Sequence, residues 1–266
     1  MGTITGTYDV IIVAFHLPRQ QILQLLPESV KQKEQEKTFS DIPTSVTQAV
    51  LKADAANKFD SKQDHLVVLQ LGYQMSTGPG PDWLPKLSFS ECKLEVPFLQ
   101  HPSGKSKKPL TYKQTILFSN LLIKIGSTMS GITSKLAEFE PGASPSIFAP
   151  EADIIQYDAE DYLASKSTRQ SDIDKTSPSW EFFKNHSQDW WFAVGTEDKV
   201  QSFDFELDNP LIGPEAYKVE VALNLAAFAP ESSSDTNSLS EIKFEGLGWR
   251  SRAKFVSKAS DINQLE

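Results

Sequence analysis

Leu87–Phe98 reads Leu-Ser-Phe-Ser-Glu-Cys-Lys-Leu-Glu-Val-Pro-Phe. Successive side chains of a strand point to opposite faces, so apolar residues at every second position mark a strand with a buried face. Leu87 and Phe89 keep one phase, whereas Cys92, Leu94, Val96 and Phe98 keep the other. The phase slips near Glu91, which predicts a β-bulge at that point. Such a strand must pair, and the flanking sequence supplies candidates on both sides.

Upstream, Tyr8–Phe15 (YDVIIVAF) and His65–Gln74 (HLVVLQLGYQ) are strong strand signals, the first an almost unbroken run expected to be buried on both faces. Between them, Pro18 opens a short helix with Ile22, Leu25 and Leu26 at helical spacing, and Pro27 stops it. Ile42–Phe59 is weakly helical. Downstream, Thr111–Ile125 reads as two strand pieces broken near Ser119-Asn120, and a Gly/Ser/Thr-rich passage, Gly126–Lys135, follows. Ser146–Ala149 and Ile154–Tyr157 are short strand candidates, and the polar, unpatterned Lys166–Ser179 reads as a mobile surface loop. Trp190–Val194, Val200–Leu207, Ala216–Phe228 and Ile242–Val256 bring the total to roughly nine strands against two or three helices, with Pro230–Ser238 as a further loop. No compositional boundary divides residues 1–266, and no repeat of roughly 20–50 residues appears. The fold class expected is a single mainly β (α+β) domain, an antiparallel barrel or sandwich with peripheral helices.

The chain has 266 residues, 39% hydrophobic and 23% charged, an ordinary globular balance. Its net charge is −9, and the only dense basic run is Lys105, Lys107 and Lys108 in a loop-like stretch. Phosphate binding needs clustered cations, so a nucleic-acid partner is not expected. One cysteine, Cys92, excludes an intrachain disulfide and suits a reducing compartment. The first residues lack a basic region followed by an apolar stretch, and no window approaches the ~20 apolar residues of a spanning helix. The expectation is a cytoplasmic protein without a membrane partner.

Known catalytic signatures are missing: no phosphate loop, GxGxxG, HExxH, GxSxG or paired CxxC occurs. His16, His65, His101 and His186 lack metal-ligand spacing, and the acidic stretch Glu151–Asp161 lacks calcium-loop spacing. Neither a metal nor a cofactor is expected. Five tryptophans and sixteen phenylalanines offer large apolar surfaces, and Trp190, Trp191 and Trp249 can line a cavity or fill the core. Arg250 and Arg252, alternating with Trp249 and Ser251, read as an outward-facing row.

One longer pattern is more specific. Glu91–Phe98 ends a glutamate-bearing strand in a Val-Pro step; Phe118–Gly126 carries Asn120; and a turn led by Gly126 brings Ser134-Lys135. This order resembles the acetoacetate decarboxylase superfamily, across about half the chain from Tyr8 to Leu136. The resemblance implies a closed, cone-shaped antiparallel β-barrel with a buried cavity. In the family's decarboxylases, one of two consecutive lysines forms a Schiff base, which requires an unprotonated amine. Here Ser134 matches the Schiff-base position and Lys135 its companion; Gly126-Ser127-Thr128 replaces the family's Gly-Arg-Glu turn. Gln70 falls near a cavity glutamate and Tyr8 near a first-strand arginine, while Glu91 keeps an acid position. The resemblance therefore implies a cofactor-free cyclase or lyase of secondary metabolism, like divergent fungal members, acting on a largely apolar carbonyl-bearing polyketide or terpenoid. Glu91, Lys135 and Ser134 are the candidate catalytic residues, and Tyr8, Gln70, Asn120 and Trp249 the candidate substrate-binding residues. The alternatives are a Schiff-base decarboxylase or aldolase-dehydratase using Lys135, and a non-enzymatic small-molecule binding protein. A homo-oligomer is also implied.

Overall fold

The computed structural model describes residues 3–80, 83–142, 152–196, 198–230 and 239–265. The chain begins with β1 (Ile4–Pro18), α1 (Arg19–Leu25), α2 (Thr44–Val50) and α3 (Ala53–Lys58). Next come β2 (Asp64–Pro79), β3 (Leu87–Leu99), β4 (Leu110–Phe118), α4 (Leu121–Met129) and β5 (Ser134–Leu136). The middle holds β6 (Phe139–Glu140), β7 (Ile154–Gln156), β8 (Asp158–Ala159), β9 (Leu163–Arg169) and α5 (Pro178–Gln188). The last elements are β10 (Trp191–Phe192), β11 (Lys199–Phe205), β12 (Ile212–Asn224), α6 (Leu225–Phe228) and β13 (Glu241–Asp261). Among the described residues no helix is long and apolar enough to cross a membrane.

Hydrogen bonding runs β1-β2-β3-β4-β10-β11-β13, and a further β1–β13 pairing closes these strands into a ring. Each ring contact is antiparallel except β4–β10, which is parallel. β13 is long enough to serve two sheets. Its first part pairs with β12, its middle with β1 and its end with β11. From β12 a second layer continues through β9, β8 and β6.

That layer explains why whole strands are apolar. Ile11, Val13, Val67, Leu69, Cys92, Leu94 and Leu117 face outward from the ring, yet they join one buried cluster with Val219, Val221, Leu223 and Leu163. Burial on both sides replaces simple alternation with continuous apolar runs. It also corrects the reading of Arg250 as solvent-facing. Arg250 is fully buried, and its Nε and Nη2 donate to the two carboxylate oxygens of Asp9 at 3.1 and 3.0 Å. A bidentate pair of this kind is what lets both charges leave water.

The expected bulge at Glu91 is not there. Gly72↔Glu91, Gln70↔Lys93 and Val68↔Glu95 remain in continuous register, and the shifts of β3 against β4 fall at Leu94/Glu95 and Val96/Leu99. Glu91, Lys93 and Glu95 occupy the phase of Leu87 and Phe89, so the alternation is unbroken; it carries charges through the barrel interior.

Two further differences concern helices. Leu121–Met129 forms α4 instead of a strand, because Asn120 Oδ1 accepts from the amides of Leu122 and Ile123 and starts a helical turn. Lys166–Ser179 is not one loop. It holds the end of β9, a turn and the start of α5, where Ser177 caps the helix and Pro178 occupies its first turn. β9 was obscured because its inward residues Ser165 and Ser167 are small and polar, with Ser165 Oγ donating to the Tyr157 carbonyl. Ser146–Ala149 and most of Pro230–Ser238 lie outside the described residues.

Candidate functional site

Inside the ring, strand register brings the polar residues together. On β3, Glu91, Lys93 and Glu95 share a face by their period of two. Lys113 on β4 pairs across from Glu95, and Gln70 and Gln74 come from β2. Tyr8 enters from β1 above Gly72, where an added Cβ would lie 2.4 Å from the Tyr8 ring; glycine here makes the room. Trp191 of β10 and Phe203 and Phe205 of β11 supply aromatic walls, and His186 reaches in from the last turn of α5.

The charges are mutually satisfied. Lys93 Nζ lies 2.5 Å from Glu91 Oε1, which also accepts from Gln74 Nε2 at 2.8 Å. Glu95 Oε2 contacts both Gln70 Nε2 and His186 Nε2 at 2.7 Å, and Glu95 Oε1 lies 3.4 Å from Lys113 Nζ. Each ammonium also sits over an aromatic face: Lys93 is 4.4 Å from the Tyr8 centroid and Lys113 is 4.1 Å from that of Trp191. Glu91, Lys93, Glu95 and Lys113 are each at most 4% exposed. Two carboxylates against two ammonium groups keep this buried set close to neutral, which makes its desolvation tolerable.

Burial acts differently on the members. It pulls the Lys113 ammonium down to about 8, against the opposing attraction of Glu95. It pushes Glu95 up, but Lys113, the His186 hydrogen bond and Lys93 together outweigh it and hold the carboxyl at about 2. Burial and the adjacent Glu91 raise the Tyr8 phenol well above its ordinary value. The cluster thus combines an amine within reach of neutrality, a carboxylate held ionised beside it, and an imidazole on the same carboxylate. That set can add to a carbonyl and move protons about it.

The space around these groups is divided. An inner chamber of about 10 Å³, lined by Gln70, Lys93, Glu95, Lys113, His186 and Trp191 among others, has room for about one water. Outside it lies a vestibule of about 550 Å³, lined by Pro97, Phe98, Leu110, Phe182, Trp190 and Leu265, with Lys108 as a cation. His186, Asp189 and Thr111 line both spaces. The expected apolar interior cavity is therefore corrected: the interior is charged and nearly filled, and the space next to it that can take a small molecule is the vestibule. His186 Nδ1 and Trp191 Nε1 are buried without a hydrogen-bond partner among the described residues.

The residues singled out from sequence lie in three places. Glu91, Gln70 and Tyr8 belong to the interior cluster. Trp249 is buried at the α5 end of the barrel, donating to Ser179 Oγ at 2.9 Å and packing on Trp180. Asn120 caps α4 and takes no part in the cluster. Ser134 pairs with Ile116 and bonds Thr128 Oγ1 at 2.8 Å beneath α4. Lys135 pairs with Leu117, on the face turned away from the barrel interior, and its Nζ donates to the Ala227 carbonyl at 2.5 Å. Ser134 and Lys135 are thus not brought to the cluster. Lys93, Glu95, Lys113 and His186 escaped sequence reading. The available signal was Lys113 within Leu110–Phe118, a strand apolar enough to be buried throughout.

No family model matches the chain, and no curated protein does. Solved structures do. An acetoacetate decarboxylase matches with a TM-score of 0.53 at 10% identity, covering 98% of this chain and 89% of that one. An acetoacetate decarboxylase-like enzyme from Sphingomonas wittichii RW1 matches with a TM-score of 0.52 at 10% identity, covering 96% and 91%. The enduracididine biosynthesis enzyme MppR, complexed with pyruvate, matches with a TM-score of 0.51 at 6% identity, covering 98% and 90%. The likeness spans nearly the whole of each chain, and at these identities it is one of architecture: this chain has the acetoacetate decarboxylase-like fold in a sequence that shares little with those structures.

Proposed function

We propose that this chain is a cofactor-free, lyase-type enzyme acting on a carbonyl-bearing small molecule, with Lys113 as the reactive amine and Glu95 and His186 as its proton-handling partners. One observation carries the reading: burial brings a barrel-interior lysine to about 8, beside a carboxylate that stays ionised. At pH 7 about a tenth of such an amine is neutral, roughly 300-fold more than for a free lysine. The neutral amine adds to the carbonyl carbon, and the carbinolamine loses water to give an iminium. The iminium accepts the electron pair released when a bond at the neighbouring carbon breaks and becomes an enamine; a proton then returns to that carbon, and water hydrolyses the restored iminium to release product and amine. Proton transfers at the carbinolamine fall to Glu95, 3.4 Å from the amine, and to His186, bonded to the other oxygen of that carboxylate.

The fold relative solved with pyruvate supports a keto acid as the first carbonyl compound to try. An apolar polyketide or terpenoid tail, if the substrate carries one, belongs in the vestibule against Phe98, Leu110, Phe182 and Leu265. The test is mass spectrometry after incubation with pyruvate or acetoacetate and borohydride. A reduced adduct at Lys113, lost in Lys113→Met, is expected. The near-filled chamber favours a second reading, in which the charges are structural and the vestibule is a carrier site. Saturable vestibule binding with no adduct on any lysine would establish that reading instead.

A further inference from the structure

The barrel has one weak seam, and it lies where the vestibule meets the chamber. β10 is two residues long. It bridges β4, through Trp191↔Thr111 and Phe192↔Tyr112, to β11, through Trp191↔Gln201 alone. Other ring strands are held by long registers, such as β1 on β2 from Ile4 to Pro18. Short strands contribute little cooperative pairing, so local opening concentrates there.

α5 leads directly into this seam and is anchored unevenly. Its N-terminal half is fixed in the core by Trp180 and Phe183, with Trp249 Nε1 donating to Ser179 Oγ. Its C-terminal turn is tied to the barrel interior through His186 Nε2 on Glu95, with Phe182 stacked on the His186 ring at 5.8 Å between centroids. His186 stands between the chamber and the vestibule, and its other ring nitrogen has no partner among the described residues.

We infer that the end of α5 and β10 form the gate of the barrel, with His186 as its latch on Glu95. Swinging the last turn of α5 and Trp191 outward about the anchored half of the helix joins the chamber to the vestibule and exposes Lys113 to a ligand held there. Beside its proton-handling role, His186 acts here by position: in the closed state it fixes Glu95 and excludes water, and on opening it sets the width of the entry. The inference rests on the interior cluster being the functional site, but the opening can be measured without any substrate.

Hydrogen exchange on the unmodified protein comes first. Amides of residues 187–192 are expected to exchange at least about tenfold faster than those of Leu94 and Leu69, through an opening smaller than global unfolding. Equal protection in all these segments overturns the gate. Reductive methylation with formaldehyde and cyanoborohydride then reads access to the amine directly. In His186→Ala, loss of one charge-assisted hydrogen bond is expected to raise Lys113 labelling about tenfold or more, with exposed Lys175 unchanged. Phe182→Ala, which keeps the His186–Glu95 bond, tests the same hinge with less risk to folding, and melting curves confirm that each variant is folded. Lys113 labelling that stays at the unmodified rate in a folded variant refutes the latch. A pyruvate adduct at Lys113 that forms equally fast in the unmodified protein and in Phe182→Ala leaves the enzymatic reading standing and removes the gate. Faster labelling without any keto-acid adduct does the reverse.

Discussion

Lys113 offers the sharpest quantitative test, because its burial sets both a reactivity and a stability. Its pKa of about 8 lies some 2.5 below the ordinary value of 10.5. Below pH 8 its adduct formation with pyruvate and cyanoborohydride is expected to rise about tenfold for each pH unit, then level off, since the neutral amine is the nucleophile. Labelling of exposed Lys175 in the same samples provides the internal comparison. Replacing Glu95 by Gln removes a charge that holds the Lys113 proton on, so the midpoint moves down from 8. The stability side has a fixed sign. Between pH 8 and 10.5 the unfolded chain keeps a proton on this lysine that the folded chain has lost, so folding strengthens as pH rises through that window. A gap of 2.5 at 1.36 kcal/mol each makes the full effect about 3 kcal/mol. Urea titrations of the unmodified protein and of Lys113→Met, taken at pH 7.5 and 10, isolate it as the difference between the two pH dependences. Parallel profiles for the two proteins, or a labelling midpoint near 10, would refute the claim that Lys113 is desolvated.

Three further outcomes follow from the same geometry. Glu91→Ala leaves the buried Lys93 ammonium without its 2.5 Å partner and is expected to cost about 3–5 kcal/mol in urea unfolding, most of it recovered when Lys93→Met is added. Glu95, held at about 2 against an ordinary 4.5, contributes stability that is complete above pH 4.5 and lost as pH falls from there to 2; acid unfolding of Glu95→Gln is expected to lack about 3 kcal/mol of this dependence. Lys135→Ala is expected to leave any keto-acid adduct at Lys113 unchanged in a borohydride-trapping experiment, because its amine faces the Ala227 carbonyl outside the barrel.

The strand content and the single closed architecture were legible because two-sided burial writes itself into sequence as apolar runs. Tyr8–Phe15 and His65–Gln74 are such runs, and both form central ring strands. The short helix α1 was legible from spacing and proline, and α2 and α3 fall within the weakly helical stretch Ile42–Phe59. α4 was not, because Leu121–Ile125 has a strand's composition, and the single Asn120 cap outweighs it locally. β10 could not be recognised as a ring member, since two residues carry no period at all.

The site was half legible for a related reason. Reading Glu91, Lys93 and Glu95 as a slipped phase assumed that the charged face of a strand meets water. In a closed barrel with a covered outer face neither side meets water, and the charged face is the inside. Once both faces are known to be buried, polar residues at period two must find one another: Glu91 finds Lys93 and Gln74, and Glu95 finds Lys113, Gln70 and His186. The same logic separates these residues from Ser134-Lys135, whose adjacency forces one to face inward and the other outward. Pairing with Ile116 and Leu117 gives Ser134 the inner side and Lys135 the outer one. An amine inside this barrel therefore has to come from a different strand, and Lys113, opposite Glu95, is placed where the chamber and the vestibule approach each other.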